Sequence, residues 1–252
     1  MPLEPRTRID RKVRRTAQAC LQTSAAVAGA DPDRPAGARL LVVLTDVVQS
    51  FDDSGRSCSE QAGTLSLTQL MDARQTGRAE LSAIADRAVA GAGDRNLGPQ
   101  LAVVHQRLAQ ILDGPVPDQV QALAGPVDTS TLLEAAAIEI CAIGLGAGIQ
   151  MPRTSLIAAS RGLAGVLGDR FGGRTIEMRV PPATAVQLEA FGQGPSHHRG
   201  TPPNVAETDP ATFVRLATGL ATWQQVREAG LIQASGSHVD AMARMLPVID
   251  LG

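Results

Sequence analysis

Apolar residues in the first 150 positions recur at steps of three and four, and strand-like alternation is rare there. This spacing places them on one face of an α-helix, so each run predicts a helix. The runs cover residues 13–21, 40–51, 67–88, 97–111 and 133–147. We expect the third to break at Thr76-Gly77 and the last to be capped by Asp128 or Ser130. The pattern predicts an up-and-down bundle of four or five helices.

The period changes after residue 150, where Pro152 ends the preceding helix. A helix is expected over 155–171, and residues 174–180 then alternate polar and apolar as a half-buried strand does. Further strands are expected over 185–189, 204–208 and 231–234, with helices after Asp209-Pro210, Thr222 and Ser237. The chain is therefore predicted to be α+β, with domains at 1–150 and 151–252.

The net charge and the composition mainly exclude classes of function and location. The net charge is −2 and the aromatic fraction 2%, so concentrated positive charge and base-stacking rings are missing and nucleic acid is not expected as a partner. Cys20, Cys58 and Cys141 are too widely spaced for a disulfide framework, which favours a cytoplasmic location. The most apolar stretch contains Glu134 and Glu139, so a membrane span is not expected.

The second domain carries a long, ordered set of elements. Residues 204–219 run from a strand into a helix that ends in Thr218-Gly219, and the pattern continues through Trp223 to a strand that ends at Gly236. The sequence GPSHHRGTPPNV, residues 194–205, precedes it. These features resemble the sterol carrier protein fold, and the loop is similar to the signature of a bacterial branch of that family. The resemblance covers roughly residues 153–251.

That resemblance implies an apolar cavity between the sheet and the last helices. Such pockets are mostly apolar with a few polar groups, and methionine side chains adapt to varied ligands. The expected lining comprises Phe213, Leu216, Trp223, Val226, Leu231, Met242 and Met245. The expected polar mouth comprises His197, Arg199, Thr201, Asn204 and Glu207. Alternatively, the apolar set is ordinary core and the polar loop residues tie down their own backbone.

The first domain resembles the helical domain of mycothiol-dependent maleylpyruvate isomerases, a DinB-like bundle that those enzymes also pair with a sterol-carrier-like domain. The family's bundle holds a divalent metal through a His on the second helix and a Glu-x-x-x-His on the last. Here only Glu139 matches, because Ile143 stands where the second His would be and residues 41–46 contain no His. We expect no metal, no cofactor and no catalytic residue. Glu139 is interpreted as a core carboxylate held by an arginine, or as a remnant ligand or proton-transfer group.

The leading interpretation is non-catalytic binding of a hydrophobic or amphipathic small molecule, such as a lipid. One alternative is a mycothiol-dependent isomerase- or transferase-like enzyme with a degenerate metal site. Another is a protein-interaction module whose partner is unknown.

Overall fold

The computed structural model describes residues 8–30, 34–54, 63–92, 97–192 and 203–251. The chain divides into two compact units, Met1–Ser155 and Leu156–Gly252, close to the expected division after residue 150. The first unit is mainly helical and the second contains a sheet beside its helices, which confirms the predicted α+β class. The helices of the first unit are α1 Arg8–Gly29, α2 Arg34–Asp53, α3 Leu67–Thr76, α4 Arg78–Ala92, α5 Gly98–Asp113 and α6 Thr129–Gly146.

Helix α6 is the core of the first unit. Fifteen of its 18 residues are buried, and α1, α2 and α3 pack around it. It is long and apolar enough to cross a membrane, but 83% of it is buried inside the fold, which is the pattern of a core helix. A Cβ on Gly144 would lie 3.0 Å from Cγ2 of Val27, so this glycine lets α6 approach α1 closely.

The sequence predicts one local feature of the first unit, the break at Gly77, and misses another, a short hairpin. The break between α3 and α4 lies at Gly77, as expected. The sequence did not predict a short antiparallel hairpin before α6, which is formed by β1 (Gln119–Ala122) and β2 (Gly125–Asp128). Each strand has only four residues, which is too short for a clear alternating pattern.

The elements of the second unit are α7 Arg153–Phe171, β3 Gly172–Val180, β4 Thr184–Leu188, β5 Asn204–Thr208, α8 Pro210–Ala217, α9 Trp223–Glu228 and β6 Ile232–Ser235. The strands form a four-stranded sheet in the order β4-β3-β5-β6. Strands β3 and β5 are parallel, and the other neighbours are antiparallel. Asp209 caps α8 by accepting hydrogen bonds from two backbone N–H groups, and Thr222 opens α9 with a capping box, both as predicted.

The α-helix expected after Ser237 is not formed. In place of a last α-helix there is a six-residue 3-10 helix, Val239–Arg244. Pro247 follows closely and cannot continue a helix, which limits this element to a short form. The segment after it is pinned, since the N–H groups of Val248 and Ile249 both donate to the carbonyl oxygen of Ala217.

Candidate functional site

Three charged side chains from three helices meet inside the first unit. Nη1 of Arg74 on α3 donates to Oε1 of Glu139 on α6 at 2.7 Å, and Nη2 donates to Oδ2 of Asp46 on α2 at 2.5 Å. The Arg74 side chain is only 10% exposed and that of Glu139 only 9%. Arg74 thus bridges the two carboxylates, and we call these three residues the arginine clamp.

The local sequence explains why Arg74 points inward. Ser66 and Gln69 form a reciprocal capping box that fixes the start of α3. Leu70 and Met71 are fully buried, and Arg74 follows them at helical spacing on the same face. A buried arginine is stable only when it is paired, and Asp46 and Glu139 provide that pairing.

The electrostatics of the clamp favour the charged form of Arg74. Burial lowers the pKa of the guanidinium, but the carboxylates of Glu139 and Asp46 raise it by more, so the net shift is upward. Nearby, burial raises the pKa of the Cys20 thiol to about 12, and Arg74 only partly opposes this shift. Cys141 on α6 has its pKa raised to about 12 by burial alone. These thiols therefore behave as apolar core groups rather than nucleophiles.

The clamp does not fit the divalent metal that the isomerase resemblance implies. In the described ranges, no group of three or more His, Cys, Asp or Glu side chains is placed to hold a metal ion. On α2, Asp46 is the residue that takes part in the clamp. Its carboxylate and that of Glu139 already bind the guanidinium of Arg74. His105 lies on α5, with Nε2 3.5 Å from the carbonyl oxygen of Leu21. The arginine is the cation that these carboxylates hold.

The second unit gathers most of the apolar residues expected to line a cavity. Six of the seven are buried, namely Phe213, Leu216, Trp223, Val226, Met242 and Met245. Leu231 departs from the expectation, because β6 begins one residue later at Ile232 and leaves the Leu231 side chain 54% exposed. These six side chains belong to the buried apolar interior of the second unit, while Leu231 lies on its surface.

A side-chain hydrogen bond joins α9 to the 3-10 helix Val239–Arg244, which covers part of this interior. Nε1 of Trp223 on α9 donates to Oδ1 of Asp240 on the 3-10 helix at 2.9 Å. Met242 on the same 3-10 helix is fully buried, and Met245 directly after it is buried as well. The 3-10 helix packs against β5 and α9.

Of the five polar residues expected at the mouth of the cavity, the structure describes two, Asn204 and Glu207. Asn204 is buried, its Nδ2 donating to the Thr175 carbonyl oxygen at 2.9 Å and its Oδ1 accepting from the His238 N–H at 2.8 Å. Both ends of its amide are thus used within the fold, which corrects its placement at an open mouth. Glu207 on β5 is half-buried. The remaining three, His197, Arg199 and Thr201, lie outside the described residues.

A separate cleft of about 600 Å³ opens in the first unit. One wall is a face of α2, and the others come from Ile84 on α4 and from the β1–β2 hairpin with its turn residue Leu123. Sequence reasoning missed this cleft, because the hairpin that forms part of it was not predicted. Its lining is Leu41, Val42, Thr45, Asp46, Gln49, Ser50, Asp53, Ile84, Gln121, Ala122 and Leu123.

Comparison with known proteins agrees with both halves of the fold. Residues 152–248 match the family model described as bacterial SCP ortholog. Among solved structures, the chain is similar to a mutant of the mycothiol-dependent maleylpyruvate isomerase, with a TM-score of 0.50 and 13% sequence identity over 91% of this chain and 93% of that one. No curated protein sequence matches the chain significantly.

The predicted resemblances are thereby confirmed at the level of the fold. At 13% identity, the structural match concerns the fold and not the chemistry. Residues 152–248 are thus similar to the bacterial SCP ortholog family, in a chain whose overall fold is similar to that of the maleylpyruvate isomerase.

Proposed function

We propose that the chain binds a hydrophobic or amphipathic small molecule, of lipid-like character, in the apolar interior of the second unit and without catalysis. The family match over residues 152–248 supports this proposal, because a sterol carrier domain suggests lipid binding. The buried set around Phe213, Trp223 and Met242 supplies the apolar surface that such a ligand needs.

The observation that carries the proposal is the thin cover over this interior. A single six-residue 3-10 helix carries Val239 and Met242 inward, and Met245 follows it. Short 3-10 helices have poorer hydrogen-bond geometry than α-helices, so displacing one costs less. Unbranched methionine side chains can also rearrange around a guest. In this proposal the ligand enters by moving the cover, while the pinned segment at Val248 and Ile249 keeps the chain end in place.

Trp223 is the only tryptophan and the chain has no tyrosine, so its fluorescence reports on the proposed site alone. Titration with a dansylated fatty acid and a dansylated sterol should give saturable energy transfer from Trp223 to the probe. It should also shift the Trp223 emission, because the ligand changes the contacts of the indole. Absence of saturable transfer with every acyl and sterol probe would overturn the proposal.

A matched pair of methionine variants separates binding from stability. Met242→Leu keeps the side-chain volume but replaces a flexible chain with a branched one, so it should weaken probe binding with little loss of stability. Met151→Leu is the control, since Met151 is also buried but belongs to the first unit. Equal effects of the two variants on the probe would count against the second unit as the site.

The isomerase-like alternative has less support, because Arg74 already binds the Asp46 and Glu139 carboxylates. A thiol-dependent isomerisation assay with and without added zinc tests it, and the proposal predicts no activity in either. The polar mouth at His197, Arg199, Thr201 and Glu207, the interaction-module hypothesis and the cytoplasmic location stay predictions.

A further inference from the structure

The cleft of the first unit has the size and polarity pattern of a ligand site that the proposed function does not use. Its volume of about 600 Å³ lies within the roughly 300–1,000 Å³ typical of small-molecule pockets. The α2 residues that line it extend from Leu41 to Asp53, which spans roughly 18 Å along the helix axis. Leu41 and Val42 make the first part of this wall apolar, and the part from Thr45 onward is mostly polar. An elongated molecule with one polar end matches this pattern.

Large apolar side chains stand exposed at the edge of the cleft. Leu123, in the turn of the β1–β2 hairpin, is 93% exposed, and Ile84 on α4 is 44% exposed. Both line the same cleft. Single exposed apolar residues are common, but two on one cleft with an apolar helical wall behind them form a surface that a hydrocarbon chain would cover.

The charge of the cleft selects the polar end of the ligand. The two charged residues among its lining residues, Asp46 and Asp53, are both acidic. Arg74 is shared between Asp46 and Glu139, so the arginine clamp retains one net negative charge. Oδ2 of Asp46 binds Arg74, whereas Oδ1 has no hydrogen-bond partner in the part of the chain that the structure describes. The cleft therefore presents carboxylate oxygens to its contents, and the net negative charge on its wall is that of the arginine clamp.

We propose that this cleft binds an amphipathic molecule with a hydrocarbon chain and a protonated amine. The ammonium group lies against Asp46 and Asp53, where the hydroxyl of Ser50 and the amide of Gln49 supply further polar contacts. The hydrocarbon chain lies against Leu41, Ile84 and Leu123. An alkyl ammonium group is charged at neutral pH, because its pKa is close to the roughly 10.4 of a lysine side chain.

Isothermal titration calorimetry of the full chain with octylamine, octanol and octanoate tests the proposal, since these probes differ in their polar ends. Each titration is run with the dansylated fatty acid already at saturation, so that the proposed second-unit site is filled. Octylamine should bind at one site and at least about fivefold more tightly than octanol, as expected for one favourable charge pair. Octanoate should bind most weakly. Equal binding of octylamine and octanol, no saturable octylamine binding, or full competition by the fatty acid would overturn the proposal.

Two pairs of variants locate the binding. Asp53→Asn should remove most of the preference for the amine, whereas Asp52→Asn should not, because Asp52 is exposed and pairs with Arg107 at 3.2 Å outside the cleft. Leu123→Ser should weaken octylamine and octanol alike, and Val103→Ser, at an exposed position on α5 outside the cleft, should weaken neither. Far-ultraviolet circular dichroism checks that each variant is folded. A loss of amine preference in Asp52→Asn equal to that in Asp53→Asn would place the amine elsewhere.

Discussion

Arg74 and Glu139 lie 65 positions apart in sequence, and their side chains meet at 2.7 Å inside the helical unit. This contact joins the short helix α3 to the core helix α6, and Asp46 extends it to α2. Breaking a buried ion pair by removing one partner typically costs about 3–5 kcal/mol, because it leaves uncompensated buried charge. The clamp is therefore a feature on which the fold of the first unit depends.

Replacement of Arg74 by alanine should lower the free energy of unfolding by about 3 kcal/mol or more, because Glu139 and Asp46 lose their shared cation. Urea denaturation followed by circular dichroism measures this. Arg107→Ala is the control, since the exposed pair between Arg107 and Asp52 should contribute about 1 kcal/mol or less. Similar losses for the two variants would show that the clamp is not a buried, coupled network.

Glu134 on α6 should make stability depend on pH in the acid range. Burial raises its pKa above 4.5 in the folded chain, and Lys12 partly opposes the shift. The folded state therefore retains a proton that the unfolded state releases. The contribution of Glu134 to the free energy of unfolding is therefore most favourable at low pH. This free energy falls as the pH rises from about 4.5 through the folded-state pKa of Glu134. Glu134→Gln should remove this fall and stabilise the chain at pH 7.

Unfolding free energies of the wild type and Glu134→Gln, measured between pH 4 and pH 7, test the point. The difference between the two should grow in favour of the variant as the pH increases. A difference that is constant with pH would mean that the Glu134 carboxyl is as well solvated in the folded chain as in the unfolded one.

The buried thiols of Cys20 and Cys141 should be unreactive in the native chain. Burial raises the pKa of each to about 12, so almost no thiolate is present at pH 8 and reagents cannot reach the sulfur. Iodoacetamide labelling followed by peptide mass spectrometry should show modification of these two positions only after denaturation. Labelling of Cys141 in the native chain at the rate of a free thiol would contradict its assignment as a core residue.

Asn204 should matter for stability and not for ligand selection. Its buried amide joins β5 to the Thr175 carbonyl oxygen and to the backbone of His238, so Asn204→Ala leaves buried groups unpaired and should cost about 1–3 kcal/mol. The relative affinities for fatty acyl and sterol probes should stay the same. If Asn204→Ala changed the preference between probes without changing stability, Asn204 would contact the ligand at the mouth of a binding site.

The sequence correctly predicted the features that depend only on residues close together in the chain. The break at Gly77, the cap at Asp209 and the capping box at Thr222 each depend on a few neighbouring residues, and the structure shows all three. The hairpin before α6 was missed because Val120 and Ala122 provide only two alternating buried positions in β1. The last element is a short 3-10 helix and not the expected α-helix, because Pro247 follows it closely and cannot continue a helix.

The candidate sites were harder to predict because they depend on contacts distant in sequence. The spacing on α6 indicated an inward Glu139 held by an arginine, but only the packing of α3 against α6 identifies that arginine as Arg74. The cleft joins α2 to Leu123, which lies 70 or more positions further along the chain, and it exists only once both are folded. Leu231 is exposed because it precedes β6, whose first residue Ile232 is the buried one, and the sequence does not distinguish these two adjacent apolar residues.

If the proposed function is right, the purified chain carries a lipid-like small molecule and no divalent metal. Native mass spectrometry of the protein purified without chelator or added lipid tests both parts in one spectrum. We expect an excess mass of a lipid-like species that is lost on mild activation, with no divalent metal present at stoichiometric level. A stoichiometric divalent metal with no bound organic species would overturn the proposed function and would favour the isomerase-like alternative.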